Sequence, residues 1–158
     1  MTGQTPTTAG KVVRFLAALF AGTAIGVTGY TVIYSDAASY LGSDPATCAN
    51  CHVMQPYYDA WSRGAHHSTA TCNDCHLPHD NILHKYAVKA EDGVLHSTKF
   101  TLGTYPTVIV ARQSSLDVVN QACLSCHADI TDQIFQARMG TGEDITCTRC
   151  HSAVGHDT

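Results

Sequence analysis

The sequence predicts a mainly α chain: a single N-terminal transmembrane helix, then a small exported domain of short helices and loops. Three observations carry this. Phe15 to Tyr34 is an uncharged, largely apolar stretch of 20 residues. All eight cysteines fall in four copies of one motif, two cysteines separated by two residues and followed at once by histidine. No stretch of useful length alternates apolar and polar residues as a half-buried strand does. The best strand candidate, Thr107-Val108-Ile109-Val110, is short and follows Pro106.

At about 1.5 Å of rise per residue the apolar stretch makes about 30 Å of helix, enough to cross a bilayer's hydrocarbon core. Lys11 and Arg14 precede it, while Asp36 and Asp44 follow. Positive residues stay on the cytoplasmic side, so residues 1–14 are expected inside, 15–35 within the bacterial inner membrane and 36–158 in the periplasm. Residues 1–10 carry no charge and are rich in Thr and Gly, which predicts a disordered lead-in. A cleaved signal peptide is the rival reading, because Asp36-Ala37-Ala38 offers small residues. Signal cores usually run to about 7–15 residues, and the longer stretch favours a retained anchor. Gly22 and Gly26 have the GxxxG spacing that lets membrane helices approach closely, although ordinary glycine content of a membrane span explains them as well.

The repeated motif is Cys48-Ala49-Asn50-Cys51-His52, Cys72-Asn73-Asp74-Cys75-His76, Cys123-Leu124-Ser125-Cys126-His127 and Cys147-Thr148-Arg149-Cys150-His151. This is the spacing of a c-type haem attachment: each thiol adds to a porphyrin vinyl group, and the adjacent imidazole can reach the iron. Paired CxxC motifs also build zinc sites, but zinc does not call for a histidine directly after every second cysteine. Four covalently bound haem c groups are expected. Residues 36–158 must house them at roughly one per 30 residues, too little chain to bury a conventional core. The domain is therefore expected to wrap round four haems that serve as its core. The net charge of −4 gives no sign of a nucleic-acid partner.

Cys48 to Cys72 and Cys123 to Cys147 are both intervals of 24 residues, which suggests two dihaem units, about 48–76 and 123–151. They are not equivalent: where the first has Met54, the second has Asp129. Local signals predict helices over Gln55–Gly64, over Asn81–Lys99 with a break or bend near Gly93, over Gln113–Gln121 leading into the third motif, and over Thr131–Arg138.

Four irons need ligands beyond the motif histidines. Six histidines remain: His66, His67, His79, His84, His96 and His156. A second His or a Met is an ordinary axial ligand, and the choice tunes the potential. Met54, two residues beyond a motif histidine, is usually a packing residue at such a position. It could instead displace His52, since the local chain cannot easily present both to one face of an iron.

Taken together, CANCHVMQPYYDAW, CNDCHLPH, KYAVKAEDG and the C-terminal HSAVGH resemble the NapC/NirT family of membrane-anchored multihaem quinol dehydrogenases. The resemblance spans the anchor and essentially all of the exported part, and the CHVM and CNDCH details point to its nitrite reductase branch. It implies that haem 1, on Cys48 and Cys51, takes Met54 in place of His52, with Asp92 close to its open side. Haem 2 would be held by His76 and His156, and haem 3 by His127 and His66, with His67 the alternative one residue away. Haem 4 would have His151 on one side and a lysine of the partner's catalytic subunit on the other. His79, His84 and His96 match no ligand role.

The same resemblance implies the activity. A quinol gives up two electrons and two protons, so its site needs an iron near the membrane and a proton acceptor. The first motif begins only 13 residues beyond Ser35. On a helix, Lys85, Lys89, Asp92 and His96 share one face. By pattern alone such a row is usually a solvated surface. In the family the equivalents of Lys85 and Asp92 line the quinol pocket, which implies that Lys85 hydrogen-bonds the quinol oxygen and Asp92 takes a proton. The expected function is menaquinol oxidation feeding a multihaem nitrite reductase catalytic subunit in an oligomeric membrane complex. A tetrahaem shuttle without a quinol site is the alternative, and direct nitrite or hydroxylamine reduction a third, for which no substrate-binding residues stand out.

Overall fold

The computed structural model describes residues 7–138 and 146–156. The chain divides into two units, Met1–Gly42 and Ser43–Thr158. In the first, α1 runs over Thr8–Tyr34 without a buried residue, as a helix that meets lipid on all sides does. It begins earlier than the composition suggests. The Thr7 hydroxyl accepts from the Gly10 N–H at 3.3 Å, so over residues 7–10 a capped helix start stands where a disordered lead-in was expected; residues 1–6 of that expectation lie outside the described residues. Asp36 then takes a left-handed conformation, φ 48°, and opens a 3-10 turn over Ala37–Leu41.

Helices and 3-10 turns are the regular elements among the second unit's described residues, joined by irregular segments such as 103–112. Asp44 caps α2 (Pro45–Ala49), accepting from the Ala46 N–H at 2.9 Å, and Pro45 occupies the first turn, where its missing N–H is harmless. A 3-10 turn over His52–Met54 leads directly into α3 (Gln55–Arg63), which ends at Gly64 as its sequence predicts. Helix α4 (Cys72–His76) is the second motif itself. Helix α5 (Ile82–Leu102) starts at Asn81, whose side chain accepts from the His84 N–H at 2.8 Å, and closes at Gly103 in the left-handed region. Helix α6 covers Gln113–Arg138 and α7 Cys147–Cys150.

Two sequence expectations are corrected. Gly93 does not interrupt α5: a glycine costs a helix about 1 kcal/mol but removes no backbone hydrogen bond. The separate helices Gln113–Gln121 and Thr131–Arg138 are one helix that carries the third motif inside it. No Gly or Pro lies between Gln113 and Arg138, and a CxxCH run contains nothing that ends a helix.

Side-chain burial is sparse. In this second unit Leu77 and Ala122 are the buried apolar residues among those described, with Pro78 beside Leu77. Large apolar groups such as Leu83, Val94 and Val110 remain more than half exposed. A domain of this size normally buries most of its apolar surface. The elements pack in pairs: α4 on α6, α2 on α3 and α4, and α7 on α6.

Candidate functional site

The four motifs meet in sequence order. Cys48 and Cys72 lie close enough for their side chains to interact, joining the first motif to the second. Cys75 and Cys126 are close enough to interact electrostatically, joining the second to the third. Cys123 and Cys147 are likewise close enough to interact, joining the third to the fourth. The 24-residue interval thus corresponds to the same junction in both halves, first cysteine to first cysteine. The Asn120 side-chain carbonyl on α6 accepts from the Cys147 N–H at 2.7 Å and fixes the start of the fourth motif.

Two imidazole pairs stand out. His76 and His156 have ring centroids 6.1 Å apart with planes 4° from parallel. His66 and His127 have the same 6.1 Å separation with planes at 73°. Two metal–imidazole bonds of about 2 Å, with the distance from each nitrogen to its ring centre, separate the centroids by about 6 Å, so both pairs fit a single ion between them. His66 Nδ1 and His156 Nδ1 are buried without a hydrogen-bond partner, a state that costs about 1–3 kcal/mol per group. Desolvation and the neighbouring His156 lower the His76 pKa, favouring the neutral imidazole that binds metal. Tyr57 on α3 meets His156 edge-on at 5.1 Å. His67 points elsewhere, against Trp61 at 5.7 Å, and the Trp61 indole N–H donates to the Ala70 carbonyl at 3.0 Å. Among the described residues no second imidazole pairs with His151.

In the first motif, the 3-10 turn over His52–Met54 is closed by the Met54 N–H donating to the Cys51 carbonyl at 2.7 Å. Three residues per turn place His52 and Met54 on different faces. The His52 ring is exposed and lies against Phe100 at 6.1 Å, while Met54 is half-buried.

Helix α5 runs beside the first two motifs. Lys85, Lys89 and Asp92 are half-buried on one face, and His96 continues that face exposed. Lys89 is near enough to Cys48 for their charges to interact, and desolvation and Lys85 lower its pKa. Lys85 acts on Asp74, and Asp92 and His96 on His76. The row of charges therefore borders the haem attachments. Sequence reasoning missed one member: Arg112, whose Nη2 pairs with Asp92 Oδ1 at 2.6 Å and whose Nη1 pairs with Glu91 Oε1 at 2.5 Å. Twenty residues of separation hide that contact from any local pattern. Two leftover histidines have other partners: the His79 ring bonds the Asp74 carbonyl at 2.8 Å and His84 pairs with Asp80 at 2.8 Å.

Residues 9–108 match the profile described as the NapC/NirT cytochrome c family, N-terminal region. The cytochrome c-type protein NrfH of Wolinella succinogenes is 40% identical over 142 residues, covering 84% of this chain and 80% of that protein. The cytochrome c nitrite reductase subunit NrfH of Nitratidesulfovibrio vulgaris is 35% identical over 109 residues, covering 69% of this chain and 65% of that one. Among solved structures, the cytochrome c nitrite reductase NrfHA complex bound to the HQNO inhibitor aligns with TM-score 0.62 and 28% identity, over 90% of this chain and 88% of that chain.

Proposed function

The chain belongs to the NapC/NirT cytochrome c family, and from that premise we propose that it oxidises menaquinol at the membrane and passes the electrons to a periplasmic nitrite reductase catalytic subunit. Membership brings covalently bound haem c and, with the apolar helix α1, a membrane anchor. In this reading the four motifs would hold four haems, which would supply one-electron acceptors. Cys48, Cys51, Cys72, Cys75, Cys123, Cys126, Cys147 and Cys150 form the thioether links.

His76 and His156 hold the second haem, and His127 and His66 the third; the equal 6.1 Å imidazole pairs support this. The seat of His67 against Trp61 favours His66 over its neighbour. Met54 serves the first haem, with His52 turned toward Phe100. His151 serves the fourth, whose second ligand is a lysine of the partner's catalytic subunit. The similarity to a NrfHA complex supports that assembly.

The observation that carries the quinol reading is the half-buried row on α5 beside Cys48. Lys85 binds the quinol oxygen and Asp92 accepts a proton; haem c held at the first motif would take the electron. A positioned proton acceptor is typically worth about 10²–10⁴-fold in rate. The solved complex bound to HQNO supplies the probe. In vesicles holding the chain, a menaquinol analogue should reduce the haems, and HQNO should block that reduction while leaving dithionite reduction intact. Nitrite should be consumed only when the catalytic subunit is added. Nitrite turnover by the chain alone, or haems that quinol cannot reduce, would overturn the proposal.

A further inference from the structure

Arg112 stands immediately ahead of α6, where its carbonyl accepts from the Leu116 N–H at 3.0 Å. Its side chain reaches back 20 residues to α5 and grips two adjacent carboxylates, Glu91 and Asp92. Neighbouring residues on a helix point about 100° apart, so one guanidinium holding both fixes the rotation of α5 about its axis. The two bonds are not equally sheltered: the Asp92 side chain is 24% exposed and that of Glu91 57%. Exposed ion pairs contribute little, and the Asp92 half of the clamp is the stronger. The bond uses Asp92 Oδ1, and among the described residues none engages Oδ2.

We propose that Arg112 is a positioning residue for quinol oxidation: it anchors Asp92 through Oδ1 and so presents Oδ2 to the quinol hydroxyl. This rests on the quinol reading above. In the step concerned, the quinol O–H bond breaks and the proton goes to Asp92 Oδ2, while haem c, when bound, would take the accompanying electron; Asp92 then releases that proton to solvent, so that the second proton and electron can leave in the same way and the quinone forms. A lysine in place of Arg112 is a point charge that serves one carboxylate, whereas the guanidinium fork serves two. Arg112 is therefore specific to this geometry. The simpler alternative is a tie that only holds the segment 103–112 to α5.

Steady-state quinol oxidation by the full chain in vesicles separates the two. Arg112→Gln is expected to keep its haems and its dithionite reduction, to lower kcat about 10²-fold, as a misplaced reacting group does, and to leave KM unchanged, because the lost interaction acts in the transition state. Arg112→Lys should recover part of kcat. Adding Arg112→Gln to Asp92→Asn should cost little more, the non-additivity of two residues acting as one. If Arg112→Gln loses haem, Arg112→Lys carries the test, and a wild-type kcat there overturns the proposal. Full-speed Arg112→Gln beside a slow Asp92→Asn would leave the quinol reading standing and remove Arg112 from it. Equal losses in both backgrounds, or a raised KM alone, would reduce Arg112 to a tie. A full-speed Asp92→Asn would overturn both.

Discussion

His76 of the second motif and His156 near the C-terminus face each other with ring centroids 6.1 Å apart and planes 4° from parallel. Eighty residues of chain separate them, and the pair forms because Gly155 lies against the end of α3 at Gly64 while Tyr57 braces the His156 ring. His156→Ala should leave every haem covalently attached and turn one of them high-spin in the ferric spectrum. A spectrum unchanged from wild type would remove His156 from the ligand set.

The second pair offers a finer contrast. His66 and His127 keep the same separation with planes at 73°, and the relative orientation of two axial imidazoles sets the splitting of the ferric d orbitals. Electron paramagnetic resonance should show one rhombic low-spin signal and one strongly anisotropic one, and His66→Ala should abolish only the second. His67→Ala should leave both and lower stability slightly through its lost contact with Trp61. The opposite pattern would transfer the ligand role to His67.

Met54→Leu keeps the size of the side chain and removes the sulfur. It should shift the potential and spin state of one haem, the one on Cys48 and Cys51, with the other three unchanged in a redox titration. A titration identical to wild type would return Met54 to a packing role.

Asp74, inside the second motif, closes the turn that presents His76. Its carboxylate accepts from the Thr71 N–H at 2.8 Å and the Thr71 hydroxyl at 2.7 Å. Burial pushes its pKa up, but these bonds and the nearby His79 and Lys85 outweigh that and hold it below the ordinary value. Its contribution is therefore complete above the unfolded pKa of about 4 and is lost as pH falls through the lower folded value. Asp74→Ala should cost about 1 kcal/mol, as loss of a helix cap does. Thermal melts across pH should show that gap at neutral pH and its closure in acid. A gap that widened in acid would contradict the sign.

How much was legible in the sequence follows from how local each signal is. The motifs and the anchor are contiguous, and both are read from spacing and composition alone. The end of α3 at Gly64 and the cap at Asn81 are equally local. The continuity of α6 is less local: the signals at Gln113–Gln121 and Thr131–Arg138 mark two stretches, and only the absence of a helix-stopping residue from Cys123 to His127 lets one helix run through both. The Arg112 clamp was invisible because ion pairs between a helix and a distant loop leave no periodic trace. The three thiol junctions between motifs are likewise products of packing, with only the repeated interval of 24 residues as a hint.

The proposed quinol site delivers its electrons beside a proton-accepting row on α5. Stopped-flow reduction of the haems by a menaquinol analogue, with dithionite as the reference reductant, tests it most directly. Lys85→Leu and Asp92→Asn should each keep four haems and full dithionite reduction while the quinol-driven rate falls about 10²–10⁴-fold; Lys99→Leu, off that row, should match wild type. Equal quinol-driven rates in all three variants would contradict the account and make the row a solvated helix face.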